Sequence, residues 1–172
     1  MSIERLRSAF ERFLEVVVIA LMVALAAEVT IGIVYRSIGR SLVWYDEIAV
    51  VLLAWLTFYG SALAALKRAH IGFPGLVRSF PPVPRLCAVI FAELCVFTFF
   101  ILLGWMGYSV LEVLQTDHLV SLPTIQVAWT QSVIPISAVL FIVAEALNLP
   151  AVLAAARGRG APVSSDLAEK LH

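Results

Sequence analysis

The sequence predicts an all-α integral membrane protein with four transmembrane helices and both termini in the cytoplasm. Three observations carry that prediction. Of the 172 residues, 62% are hydrophobic and only 14% are charged, whereas soluble domains run at about 45–50% apolar and about 25% charged. Four apolar runs each reach the roughly 20 residues that a helix needs to cross a bilayer. The lysines and arginines are also spread unevenly over the segments that separate those runs.

The runs cover residues 14–35, 44–66, 86–111 and 125–149. None is dominated by an alternation of period two, so each reads as a helix. In the first run, Ala24-Leu25-Ala26 imitates the small-x-small pattern of a signal-peptide cleavage site. Apolar character resumes beyond it in VTIGIVY, however, and the whole run exceeds the about 7–15 residues of a signal-peptide core. The first helix is therefore expected to stay uncleaved. Pro135 interrupts the fourth run and predicts a kink, which neighbouring groups can re-satisfy inside a membrane.

Ten of the twelve cationic side chains fall on one side of this plan. Arg5, Arg7 and Arg12 lie in the N-terminal tail, Lys67, Arg68, Arg78 and Arg85 in the second connection, and Arg157, Arg159 and Lys170 in the C-terminal tail. The first connection holds only Arg36 and Arg40, and the third holds none. The positive-inside bias then places the N-terminus, the central loop and the C-terminus in the cytoplasm. Within the central loop, Ile71, Phe73, Leu76, Val77 and Phe80 have the spacing of a short interfacial helix, which the prolines of PPVP stop before the third span. Residues 1–150 form a four-helix transmembrane domain, and residues 151–172 form a solvated, flexible cytoplasmic tail.

Charge and cysteine usage exclude several classes. Twelve basic and twelve acidic residues cancel, so no net field points to nucleic acid as a partner. Cys87 and Cys95 are eight residues apart in one run, about 12 Å along a helix. That is too far for a disulfide, which needs Cα atoms within about 7 Å, and the pair lacks the further ligands of a zinc site; both are expected to be packing residues. Asp117 and His118 adjoin in the third connection without a nucleophile or a metal-ligand spacing beside them. No enzyme motif and no cofactor site is read.

The charges that remain are conspicuous. RSLVWYDEIAVVLLAWL sets Asp46 and Glu47 side by side at the front of the second run. Ser41 is a candidate N-cap there, and acids in a first turn complement the helix dipole. Two acids exceed what capping needs. Arg36 and Arg40 precede them and are expected to pair with them, while Trp44 and Tyr45 take the interfacial belt. Arg36, Arg40, Trp44, Asp46 and Glu47 thus form a proposed subunit contact or helix-entrance anchor. Glu28, Glu93 and Glu145 fall inside spans, where a charge costs at least a few kcal/mol unless it faces protein or water. Pairing between helices or subunits is favoured over an ion cage, with Lys67 and Arg68 able to snorkel toward Glu93 and Glu145.

Residues 41–73, SLVWYDEIAVVLLAWLTFYGSALAALKRAHIGF, resemble the signature of the small membrane subunit, DctQ type, of tripartite ATP-independent periplasmic (TRAP) transporters. The matching positions are Ser41, Leu42, Trp44, Asp46 and Glu47, then Trp55, Leu56, Phe58, Gly60 and Ser61, and finally Lys67, Arg68, His70 and Ile71. Asp46 stands where the pattern has Glu, and Phe73-Pro74 where Val-Asp often follows His-Ile. The four-helix plan, the Pro-Pro after the central loop and the SLPT before the last helix agree with the family over nearly the whole chain. The resemblance implies a scaffold subunit in a bacterial inner membrane, paired with a large membrane subunit that holds the substrate and sodium sites. A periplasmic solute-binding protein would deliver a carboxylate-bearing metabolite. Lys67, Arg68 and His70 then read as an anchor at the cytoplasmic end of the second helix. The alternative on residues alone is a stand-alone oligomeric small membrane transporter or channel, with Glu28 or Glu93 facing water.

Overall fold

The computed structural model describes residues 3–69 and 80–157. These form α1 (Ile3–Ser37), α2 (Tyr45–Leu66), α3 (Pro82–Val113) continued by a 3-10 turn (Leu114–Thr116), α4 (Val127–Gln131) and α5 (Val133–Ala156). Four helical stretches are long and apolar enough to cross a membrane: α1, α2, α3 with its 3-10 turn, and α4 with α5. The expected all-helical, four-span architecture is the observed one. The interfacial helix expected around residues 71–80 lies outside the described residues except for Phe80, as do His70 and residues 158–172.

α1 begins well before its apolar run. Its 35 residues make a rod of about 52 Å, against about 30 Å of hydrocarbon. The surplus is the charged segment from Glu4 to Arg12, in which Leu, Arg, Glu, Ala and Phe favour or tolerate helix. At its other end Gly39 takes φ +75°. The Gly39 N–H donates to the Arg36 carbonyl (3.1 Å) and the Arg40 N–H to the Tyr35 carbonyl (3.0 Å). This is a Schellman stop, with glycine at the left-handed position.

α2 starts at Tyr45, with Trp44 before it in helical conformation and no side-chain cap. Ser41 is therefore not the N-cap. The turn closing α1 and the bend over residues 41–44 leave it three residues short of that position. α2 ends in a second Schellman stop. The Arg68 N–H reaches the Ala65 carbonyl and the Ala69 N–H the Ala64 carbonyl (3.0 and 2.8 Å). Here the left-handed residue is Arg68, φ +52°, a conformation that costs a non-glycine residue about 1–2 kcal/mol.

The prolines of PPVP reach into the third helix. Pro82 occupies the first position of α3, where a missing N–H costs nothing. The third helix accordingly starts four residues before the expected Leu86. In the fourth stretch Pro135 does more than kink. It has no N–H for the Gln131 carbonyl and its ring crowds that carbonyl, and the helix divides at Ser132 into α4 and α5. α5 runs on through Pro150 to Ala156, six residues beyond the expected domain boundary.

The helices pack in an open row, α1 on α2, α2 on α5, and α5 on α3. Leu14, Ala62, Ala65, Leu66, Phe141 and Ala144 make the buried centre, with Phe100 stacked on Phe141 at a ring separation of 3.6 Å. Three of these six are alanines, as suits helices that associate by close backbone approach because lipid tails are as apolar as leucine. α3 meets α5 at two glycines. A Cβ on Gly104 would lie 3.3 Å from the Ala138 Cβ, and one on Gly107 only 2.8 Å from the Ile134 Cγ2. On the α1–α2 side, the Tyr45 ring lies over Gly32 in the space a Cβ would take. Cys87 and Cys95, expected to pack, are exposed on α3, whose main neighbour among the described residues is α5.

Candidate functional site

The polar side chains that cross between helices collect at the two ends of α2. At the N-terminal side of the bundle, α2 stops inside the protein with its last carbonyls turned toward neighbours. Such carbonyls have no partner in their own helix, and in a membrane protein an unsatisfied one costs several kcal/mol. Asn148 of α5, 2% exposed, places its amide nitrogen 2.9 Å from the Ala65 carbonyl and 3.1 Å from that of Leu66. Arg7 of α1 donates to the Leu66 carbonyl from the other side, at 3.3 Å. The Lys67 ammonium, just past the helix, binds Glu15 and lies 3.4 Å from Glu11. Glu15 first and then Glu11 hold that ammonium above the usual lysine range. Three helices are thus joined at one helix end.

At the far side, the residues after α3 form a small folded loop. The Val127 N–H donates to the Asp117 carbonyl (2.9 Å), the Leu119 N–H to the Ile125 carbonyl (3.0 Å), and the Ile125 N–H to the Leu122 carbonyl (2.9 Å) across Pro123. His118 and Gln126 form a single antiparallel bridge. This geometry presents the N–H groups of Val120 and Ser121 in one direction. Glu47, in the first turn of α2, takes both, one on each carboxylate oxygen, at 3.0 and 2.9 Å. The Ser121 hydroxyl also donates to Glu47.

Between these ends, the Trp55 indole N–H donates to the Thr130 carbonyl at 2.8 Å. Thr130 lies in the last turn of α4, where the break before Pro135 removes the following helical N–H groups. Trp55 therefore answers an acceptor that the break has exposed.

These ties fall largely in one matched segment. Residues 25–154 match the family of tripartite ATP-independent periplasmic transporters, DctQ component. The chain belongs to the DctQ family. It is a small membrane subunit of a TRAP transporter, a multi-pass protein that works with other subunits. A search among curated proteins found no match.

In this DctQ subunit the signature residues of α2 separate by partner. Glu47 binds the third connection, Trp55 the broken fourth stretch and Lys67 the first helix. The expected pairing of Asp46 and Glu47 with Arg36 and Arg40 is not what forms. The ion pairs among the described residues both use Lys67. The physical reason is that the loop offers Glu47 two backbone donors already fixed in place, whereas an exposed arginine must lose side-chain entropy for a screened attraction. Asp46, Arg36 and Arg40 are exposed, and Trp44 is half-buried. Lys67 likewise turns to α1 and not to Glu93 or Glu145. Glu145 is half-buried on α5. Glu28 and Glu93 each keep one buried carboxyl oxygen that accepts no hydrogen bond. Asn148 and Arg7 were not singled out from sequence. An asparagine at the far end of the fourth apolar run was the signal for the first.

Proposed function

We propose that this DctQ subunit is the static brace of its TRAP transporter, holding a large membrane subunit that carries the solute and sodium sites. The transported solute is a carboxylate-bearing metabolite delivered by a periplasmic solute-binding protein. The subunit sits in a bacterial inner membrane with its termini and central loop in the cytoplasm, a topology that the cation bias supports. The observation that supports a brace is the tying of α2 at both ends and in its middle, to α1, α5, α4 and the third connection. An alternating-access element needs two arrangements of its helices. Each of these ties would have to break, leaving carbonyls and N–H groups bare in a membrane, for α2 to move against its neighbours. Asp46, Trp44, Arg36 and Arg40 on the far side are the groups offered to the other subunits.

Reconstitution tests this reading. Proteoliposomes holding this chain alone should take up no carboxylate solute. Vesicles holding it with the large subunit, in the presence of the binding protein and a sodium gradient, should do so. Solute-specific uptake by this chain alone would overturn the brace and favour a stand-alone channel.

A further inference from the structure

The three arginines of the α1 extension do not share a task, and the difference marks a site. Arg7 faces inward to the Leu66 carbonyl. Arg5 and Arg12 are exposed, and neither is in the ion pairs found among the described residues. At 100° per residue, Arg5, Ala9, Arg12 and Val16 fall on one strip of the helix. Glu4, Glu11 and Glu15 lie together on another edge, about 100° round, where Lys67 holds two of them. The strip with the arginines is therefore free of acids. A groove of about 570 Å³ runs along it, lined by Ser8, Ala9, Arg12, Phe13 and Val16.

We infer that this groove binds an anionic phospholipid. Its polarity changes in the order of the lipid's own. Arg5 and Arg12, whose Cα atoms are about 10 Å apart along the axis, flank Ala9, whose small side chain leaves room for a phosphate within reach of both long side chains. One turn farther, where the apolar run begins, Phe13 and Val16 are 53% and 61% exposed and offer a surface to the first methylenes of an acyl chain. The arginine stems cover apolar surface while their heads stay at the membrane face. Basic pockets at that level of a transmembrane bundle select anionic headgroups. This site does not depend on the transport role.

Native mass spectrometry on the full chain, purified with its large subunit where the two copurify, tests the inference. The probes are phosphatidylglycerol and phosphatidylcholine with the same acyl chains. The expected result is about thirtyfold higher occupancy by phosphatidylglycerol, the size that two surface cations supply. The double change Arg5→Gln and Arg12→Gln should reduce it to the phosphatidylcholine level. Ala9→Trp keeps both charges but fills the cradle, and should reduce it as far. Arg157→Gln, an exposed cation at the same side of the bundle, should change nothing. Soluble glycerol 3-phosphate should not displace the lipid, because it lacks the chains that Phe13 and Val16 meet. Equal occupancy by both lipids, retention in Ala9→Trp, an equal loss in Arg157→Gln or displacement by glycerol 3-phosphate would each overturn the site. Circular dichroism of every variant, unchanged because the substituted side chains are exposed, keeps a loss of binding distinct from a loss of fold.

Discussion

The side-chain amide of Asn148 on α5 sits 2.9 Å from the Ala65 carbonyl on α2, with its second donor on Leu66. One side chain, 2% exposed, therefore adds a donor to each of the last two carbonyls of α2, beside the Arg68 N–H on Ala65 and Arg7 on Leu66. Asn148→Leu keeps the branched outline of the side chain and removes both donors. It should lower the unfolding free energy in detergent by about 1–2 kcal/mol, the range of interhelical hydrogen bonds in membrane proteins. Asn148→Asp should be worse than Leu, since it turns oxygens toward two carbonyl oxygens. Thermal unfolding of the three proteins checks the order. A leucine variant as stable as the parent would mean that Arg7 and the Schellman turn suffice.

The α3–α5 seam yields a steric prediction. Gly107→Ala puts a Cβ 2.8 Å from the Ile134 Cγ2 and 3.3 Å from the Pro135 Cδ, whereas the same change at Gly104 meets only the Ala138 Cβ at 3.3 Å. Overpacking of this kind costs about 1–3 kcal/mol. Gly107→Ala should therefore destabilise more than Gly104→Ala, and Ile134→Ala should recover part of the loss at Gly107 by removing the opposing methyl. Equal thermal midpoints for the two glycine variants would show that the seam opens to admit either.

The spans and the family were legible because they depend on local quantities. Apolar length set the four helices, and the start of α2 at Tyr45 lies one residue from the expected Trp44. Partners were not legible. Glu47 meets Val120 and Ser121 across more than seventy residues, and nothing local to either stretch shows that the loop's N–H groups converge on it. The arginines nearer in sequence were the expected partners, yet nearness in sequence supplies no fixed donor. The division at Ser132 was within reach, since a proline at 135 strips the carbonyl at 131 by the i−4 rule. The two exposed cysteines misled because an apolar run does not tell which face meets protein and which meets lipid.

Orientation gives a third prediction. With ten of the twelve lysines and arginines on one side of the chain's four-span plan, a reporter fused after residue 157 should be active only as a cytoplasmic marker. A reporter inserted at Thr116 should be active only as a periplasmic one. The reverse pattern would invert the assignment of Asp46 and Glu47 to the periplasmic side.

The last prediction separates two accounts of Glu47. If its partners are the Val120 and Ser121 N–H groups and the Ser121 hydroxyl, then Glu47→Gln should weaken both assembly with the large subunit and the thermal midpoint. An amide offers one oxygen where two N–H donors converge, and it turns its own N–H groups toward a donor. Glu47→Asp should weaken them too, because the shorter side chain draws the carboxylate back from a loop whose own hydrogen bonds hold it in place. Ser121→Ala removes the hydroxyl and leaves both backbone donors, so its effect should be the smaller. Combined with Glu47→Gln, it should lose less than the sum, as residues sharing one interaction do. Arg36→Gln should be silent for the midpoint and additive with Glu47→Gln. Had the arginine been the partner, removing it would leave an unpaired carboxylate and the double change would recover part of the loss. A double-mutant cycle for each pair, read as midpoint and as yield of the purified complex, decides between them. Coupling of Glu47 to Arg36 with none to Ser121 would mean that the carboxylate leaves the loop once the other subunits are in place.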